Sequence, residues 1–131
     1  MSKDGCMLFG TGPVLPVKDI VSAVNYYCEE LGFALDLVHG DPPTHGSVTR
    51  CSVGIQFTPA PGGFEASDYP GWVYVFVDGI DDLFEEYRGR NVTITKEIES
   101  YGYGMREFEV KDLDGNRLRF GAYLNSLADS G

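Results

Sequence analysis

The fold is decided by the stretch Gly71-Trp72-Val73-Tyr74-Val75-Phe76-Val77-Asp78-Gly79. Its valines alternate with aromatic residues, and this period of two predicts a β-strand with two different faces. Neither face is polar, so both faces need to be covered. Apolar residues then recur at helical spacing from Ile80 to Tyr87, which predicts a helix. We expect that helix to cover the valine face, which leaves the aromatic face for a second layer or a ligand.

The chain contains an internal repeat that includes this strand and helix. Val17, Ile20, Val24 and Tyr27 correspond to Val77, Ile80, Phe84 and Tyr87, each 60 positions later. Each copy reads as strand, helix and three further strands. We therefore predict an α+β fold of two βαβββ modules, in which curved mixed sheets surround a cleft and the helices lie outside.

The length of 131 residues fits one domain with a core of its own. We expect module one at about residues 12–58 and module two at about residues 71–121. Residues 59–70 are rich in proline, glycine and alanine and are predicted to link the modules. Residues 122–131 are predicted to form a tail.

Composition excludes several classes of partner. The formal net charge of −10 argues against nucleic acid, because phosphate binding needs a basic face. No apolar run is long enough to span a membrane, and the N-terminus does not have the layout of a signal peptide. We therefore expect a soluble, cytoplasmic protein with no membrane partner. The three cysteines have no metal-binding spacing and are expected to be buried, reduced thiols.

Three blocks of sequence carry a resemblance to a known superfamily. They are Val14 to Phe33, Trp72 to Leu83, and Tyr103 to Phe120 with its Asp112-Leu113-Asp114-Gly115-Asn116 turn. Together they resemble the vicinal-oxygen-chelate proteins, which include glyoxalase I, extradiol dioxygenases and bleomycin resistance proteins. The resemblance is stronger to the bleomycin resistance proteins, and it extends from about residue 12 to residue 121.

The resemblance also bears on metal binding. Metal-dependent relatives carry ligands on the first and last strands of each module, and the matching positions here are Gly12, Gln56, Trp72 and Arg119. Only Gln56 could serve as a ligand, and weakly, since the guanidinium of Arg119 stays protonated. His45 is expected in a solvated loop. We therefore predict no metal and no other cofactor.

The candidate ligand-binding residues share aromatic or charged side chains on predicted strands and turns. They are Trp72, Tyr74, Phe76, Tyr101, Tyr103, Glu107, Glu109, Gln56 and Arg119. An aromatic strand face suits planar or cationic ligands through stacking and cation–π contacts. We expect Glu107 and Glu109 to meet positive charge in the cleft. The same aromatic face could instead be core or a seam between two chains, and the sequence leaves these alternatives open.

These features predict a binding protein that sequesters a cationic, partly aromatic small molecule, such as a bleomycin-like compound, without covalent chemistry. The resemblance further implies a homodimer, because relatives commonly build their clefts across paired chains. No set of catalytic residues is expected. The first alternative is a metal-dependent enzyme of the same superfamily, either a lyase or a dioxygenase. The second alternative is an interaction module whose aromatic strand only forms a dimer seam.

Overall fold

Two four-stranded sheets, each with one helix, make up the part of the chain that the structure describes. The structure is a computed structural model, and it describes residues 5–62 and 70–124. Most of the predicted linker 59–70 and of the predicted tail 122–131 lies outside the described residues.

Module one contains the first sheet and the first helix. Its elements are β1 (Val14–Val17), α1 (Ile20–Glu29), β2 (Ala34–Gly40), β3 (Pro43–Arg50) and β4 (Val53–Pro59). The strand order in the sheet is β1-β4-β3-β2, with β1 parallel to β4 and the other pairs antiparallel. Asp19 caps α1, because its carboxylate accepts a hydrogen bond from the backbone N–H of Ser22 at 2.9 Å.

Module two repeats this arrangement. Its elements are β5 (Trp72–Phe76), α2 (Ile80–Arg88), β6 (Thr93–Tyr101), β7 (Met105–Lys111) and β8 (Arg117–Tyr123). The strand order is β5-β8-β7-β6, again with one parallel pair, β5 and β8. The predicted class is therefore confirmed: the fold is α+β, with two βαβββ units and mixed sheets that do not close into a barrel.

Each helix packs on one face of its own sheet and buries the apolar residues of that face. In module two, Phe84 and Tyr87 of α2 lie against Phe108 and Phe120, with ring centroids 5.2–6.1 Å apart. Val75 belongs to the same buried cluster. The valine side of β5 is therefore the side that faces α2, and the aromatic side of β5 lies on the opposite, open face of the sheet.

Polar contacts join the two modules around the common core. The hydroxyl of Tyr27 donates to Asp112 at 2.7 Å, and the hydroxyl of Tyr87 donates to the carbonyl of Leu31 at 2.7 Å. Arg50 and Glu86 form an ion pair at 2.9 Å. These contacts connect residues that are 36 to 85 positions apart in the chain, so they fix the two modules against each other.

Two local expectations were wrong, one for His45 and one for the cysteines. His45 lies in β3 opposite His39 and not in a loop, because β3 already begins at Pro43. Cys51 lies in the exposed turn after β3, where its backbone φ is 53°. Cys6 is also exposed and Cys28 is half-buried, so the thiols are not all buried as predicted.

Candidate ligand-binding site

The open face of the second sheet gathers most of the predicted site residues. In the parallel pair of β5 and β8, Tyr74 lies opposite Arg119 and Phe76 lies opposite Gly121. In the antiparallel pair of β8 and β7, Arg119 lies opposite Glu109. Partners that face each other across a sheet project to the same side. One face of three neighbouring strands therefore carries aromatic, basic and acidic side chains in adjacent columns.

The exposed rings on this face form what we call the aromatic wall, defined as Trp72, Tyr74, Phe76 and Tyr123. Their exposed fractions are 68%, 37%, 62% and 72%, respectively. Phe76 and Tyr123 stack with their centroids 5.6 Å apart and their planes 6° from parallel. Within a single chain these rings are therefore exposed and do not belong to the hydrophobic core.

Tyr123 was not among the predicted site residues. Module two was predicted to end at about residue 121, whereas its last strand, β8, continues to Tyr123. Side chains two positions apart in a strand share a face, so the series Arg119, Gly121, Tyr123 was the signal that could have found it.

A charged network lies beside the aromatic wall. Arg119 reaches Glu109 at 3.0 Å and Glu107 at 3.5 Å, and its guanidinium carbon lies 5.7 Å from the centroid of Trp72. The exposed fractions of Glu107 and Glu109 are only 3% and 2%. Both carboxylates therefore meet positive charge from Arg119 within the chain, and their contact with the positive charge of a ligand stays a prediction.

Further donors form hydrogen bonds with the carboxylate of Glu109. Thr95 donates to Glu109 at 2.8 Å and Arg117 donates to it at 3.1 Å. Burial acts to raise the pKa of Glu109, but these hydrogen bonds and those from Arg119 hold its pKa below the ordinary value. Glu109 is therefore ionised at neutral pH and serves as the anionic centre of the network.

Two tyrosines donate to the other carboxylate, that of Glu107. Tyr74 donates from the aromatic wall, and Tyr103 donates from the β6–β7 turn at 2.6 Å. The pKa of Tyr74 is raised, first by burial and then by this hydrogen bond, so its hydroxyl stays protonated. Tyr101 stacks on Tyr103 with centroids 5.3 Å apart. The turn that carries these two tyrosines is therefore tied to the same site.

Gln56 is the one predicted site residue that lies in module one. It lines a cavity of about 340 Å³ on the first sheet, together with Gly12, Asp36, His45 and Ser47. Within that cavity the hydroxyl of Ser47 donates to Asp36 at 2.6 Å. The structure does not bring Gln56 together with the other eight residues, all of which belong to module two.

The four positions that match metal ligands in relatives do not fit a metal in this structure. Gly12 offers no side chain, and a Cβ at that position would lie 2.8 Å from the side-chain nitrogen of Gln56. Trp72 has no ligating atom, and Arg119 is a cation held by two carboxylates. Within residues 5–62 and 70–124, no three His, Cys, Asp or Glu side chains come together as a metal-binding group.

The fold and this site together define a class of protein. Residues 11–120 match the model of the Glyoxalase/Bleomycin resistance protein/Dioxygenase superfamily, and this chain belongs to that superfamily. The resemblance inferred from the sequence is thereby confirmed. A comparison with curated proteins finds no match.

Solved structures share the fold at low sequence identity. The bleomycin-binding protein from bleomycin-producing Streptomyces verticillus, complexed with copper(II)-bleomycin, is 24% identical with a TM-score of 0.75, over 89% of this chain and 98% of that chain. TnmS3, an antibiotic-binding protein from Streptomyces sp. CB03234, is 19% identical with a TM-score of 0.72, over 90% and 99%. A glyoxalase-related enzyme from Clostridium phytofermentans is 23% identical with a TM-score of 0.75, over 93% and 100%. These likenesses establish the fold alone.

Neither helix among the described residues has the length and apolar character needed to cross a membrane.

Proposed function

We propose that this protein binds a partly aromatic, cationic small molecule, of the bleomycin-like type, and sequesters it without metal chemistry. The observation that carries the proposal is the exposure of the aromatic wall. Trp72, at 68% exposed, and Phe76, at 62%, stand on the face of the sheet opposite to the one that contributes Val75, Phe108 and Phe120 to the buried core. Large exposed rings side by side are typical of surfaces that stack on planar groups.

The cationic character of the ligand is supported by the net charge of −10 and by the carboxylates beside the aromatic wall. Since Arg119 contacts both Glu107 and Glu109, a bound cation has to share these carboxylates with Arg119. Binding should weaken as salt is raised, because dissolved ions screen the attraction between a cation and the net negative charge of the chain.

We further propose a homodimer in which a second copy covers the open faces of the sheets. The open face of the first sheet, which carries Gln56, also exposes apolar side chains, among them Val14 at 50% and Leu37 at 46%. Single exposed apolar residues are normal on a protein surface, whereas neighbouring ones on both sheets are typical of an interaction surface. A cleft between module one of one copy and module two of the other would place Gln56 opposite the aromatic wall.

The three free cysteines support a cytoplasmic location, where disulfides are rare.

A fluorescence titration tests the ligand proposal, because Trp72 is the single tryptophan of the chain. We expect bleomycin or a similar cationic heteroaromatic compound to quench Trp72 saturably, and Trp72→Phe to remove the signal while the protein still melts cooperatively. A panel of such compounds without any saturable quenching would contradict the proposal.

Elemental analysis of protein purified without chelators tests the enzyme alternative. About one equivalent of a divalent metal per chain, lost together with an activity, would favour a lyase or dioxygenase.

Mixed dimers test where the cleft lies. One chain carries Gln56→Ala and the other carries Trp72→Ala, so a cleft built across two copies leaves one of two sites intact in the mixed dimer. We expect half of the wild-type binding stoichiometry from the mixed dimer and weak binding from either variant alone. A cleft built within one chain would leave no intact site, and the mixed dimer would then bind as weakly as the parent variants.

A further inference from the structure

One cavity of the described structure lies between the two modules and not on the aromatic wall. Its volume is about 450 Å³, which falls in the range of roughly 300–1,000 Å³ that is common for small-molecule pockets. Module one contributes the β3–β4 turn and Phe33, and module two contributes the end of β5 and one side of α2. We call it the intermodule cavity.

The intermodule cavity and the aromatic wall use opposite faces of the same strand. Val75 and Val77 line the cavity, whereas Trp72 and Tyr74 stand on the wall. Phe76 borders both. Apart from Phe76, the cavity and the aromatic wall have no lining residue in common, so they are distinct sites.

The lining of the intermodule cavity is apolar inside and acidic at the rim. The apolar lining comprises Phe33, Val53, Val75, Val77, Leu83 and Phe120. The charged residues at the rim are Arg50, Asp78, Asp82 and Glu86. Arg50 is paired within the chain, since it donates to both carboxylate oxygens of Glu86 at 2.9 Å and to the carbonyl of Leu31 at 2.8 Å.

Asp78 and Asp82 differ from Glu86 in their pairing with basic side chains. Neither of these two carboxylates has a hydrogen bond or an ion pair with any residue in the described part of the chain. After the pairing of Arg50 with Glu86, the rim retains two uncompensated negative charges next to an apolar interior. This combination is complementary to an apolar molecule that carries one positive charge.

We propose that the intermodule cavity is a second binding site that takes a compact apolar primary amine. The alkyl part fills the space between Val53 and Leu83, and the ammonium group lies at the rim, near Asp78 and Asp82. Because both modules line the cavity, an occupant contacts both of them and stabilises their association. This site does not depend on the ligand of the aromatic wall, and it can be tested without knowing that ligand.

Cys51 provides a local reporter, because its thiol is exposed and the residue lines the cavity. Cys6 is also exposed but does not line the cavity, so it serves as an internal control. The full chain is treated with iodoacetamide in the presence of cyclohexylamine, cyclohexanol or cyclohexanecarboxylate, and the alkylation of each cysteine is followed by peptide mass spectrometry. We expect cyclohexylamine to slow the alkylation of Cys51 and not that of Cys6, with a weaker effect of cyclohexanol and none of the carboxylate.

Two kinds of variant locate the effect. Val53→Phe should fill the cavity and abolish the protection of Cys51. The double variant Asp78→Asn, Asp82→Asn should weaken the amine by about two- to fivefold per carboxylate, the scale of an exposed ion pair. Glu85→Gln is the matched control, because Glu85 lies on α2 without lining the cavity. Cyclohexylamine should also raise the melting temperature of the wild type, as any ligand of the folded state does.

Equal protection by all three compounds would overturn the assignment of an amine. An absence of protection in the wild type would overturn the site itself. Protection that persists in Val53→Phe, or that disappears in Trp72→Ala, would show that the amine binds elsewhere, and this also contradicts the proposal. A failure of the aromatic wall to bind any ligand would leave all these outcomes unchanged.

Discussion

The hydroxyl of Tyr27 in α1 donates a hydrogen bond to the carboxylate of Asp112, which lies between β7 and β8, over a distance of 2.7 Å. The same carboxylate accepts hydrogen bonds from the backbone N–H groups of Asp114 and Asn116 and from the side chain of Asn116. Asn116 in turn donates to the carbonyl of Pro16 at 3.0 Å. A single buried cluster thus fastens the last turn of module two to the first strand and helix of module one.

Removal of the Tyr27 hydroxyl should weaken this attachment. The Tyr27 ring is fully buried, and burial raises the pKa of both Tyr27 and Asp112. Tyr27→Phe keeps the ring but leaves the buried carboxylate with one donor fewer, so we expect the free energy of unfolding to fall by about 1–3 kcal/mol. Chemical denaturation measures the change. Tyr123→Phe is the control, because Tyr123 is 72% exposed, and it should change stability by less than about 0.5 kcal/mol. Equal effects of the two changes would contradict the role of the Asp112 cluster.

The ion pair between Arg50 and Glu86 should make stability depend on pH. The hydrogen bonds from Arg50 lower the pKa of Glu86 below its ordinary value of 4.5. A lowered folded-state pKa means that the stabilisation is present above pH 4.5 and is lost as the pH falls through the folded value. Glu86→Gln should therefore cost about 1 kcal/mol at pH 7, since both side chains are partly exposed.

Denaturation curves of the wild type and Glu86→Gln at several pH values check this. The difference between the two proteins should shrink steadily below pH 4.5, where Glu86 begins to protonate in the unfolded chain. Glu85→Gln should match the wild type throughout, because the contact of Glu85 with Arg88 is long, at 3.6 Å, and well exposed. A difference that stays constant down to strongly acidic pH would show that the charge of Glu86 is not what stabilises the fold.

Local patterns in the sequence were enough to predict most of the fold. The alternation in Trp72–Phe76 gave β5 and its two faces, and the helical spacing of apolar residues from Ile80 to Tyr87 gave α2 at the correct position. Both signals depend only on neighbouring residues, because side-chain direction repeats every two residues in a strand and every 3.6 in a helix. The family followed from longer blocks of the same kind.

The charged part of the site depends on contacts that no local pattern contains. Arg119 meets Glu109 only because β8 pairs with β7 in one particular register, and a shift by one residue would move the arginine to the other face. Tyr123 was missed because Gly121 and Ala122 are weak strand formers and gave no reason to extend β8. The intermodule cavity was missed because its two sides are contributed by separate modules.

Gly121 should be essential for the position of Tyr74. A Cβ at residue 121 would collide with the ring and the hydroxyl of Tyr74, which is held by Glu107. Gly121→Ala should therefore push Tyr74 out of the aromatic wall and cost about 1–3 kcal/mol, the usual range for overpacking. Gly54→Ala is the matched control in module one, because the nearest side-chain atom to its Cβ would be 3.9 Å away. We expect Gly121→Ala, and not Gly54→Ala, to reduce both the stability and the ligand-dependent quenching of Trp72. A Gly121→Ala protein with wild-type melting and quenching would show that Tyr74 can move at no cost.

Trp72→Ala separates the three roles considered for the aromatic wall. Because Trp72 is 68% exposed and its one described ring contact is with Arg119, at 5.7 Å, we expect the stability of a single chain to fall by less than about 1 kcal/mol. Ligand affinity should fall by about 1–3 kcal/mol, the scale of one lost stacking contact. A buried core position would instead cost about 3–5 kcal/mol of stability whatever the ligand.

A dimer seam gives a third pattern, in which Trp72→Ala shifts the protein from dimer to monomer and leaves no ligand-dependent signal to lose. Thermal melting, sedimentation at several protein concentrations and a titration followed by calorimetry distinguish the three on the same variant. Calorimetry is needed because the substitution removes the only tryptophan. We expect near-normal melting together with weakened binding. Early melting at every protein concentration, with unchanged ligand affinity, would mean that the aromatic wall supports the fold and does not bind the ligand.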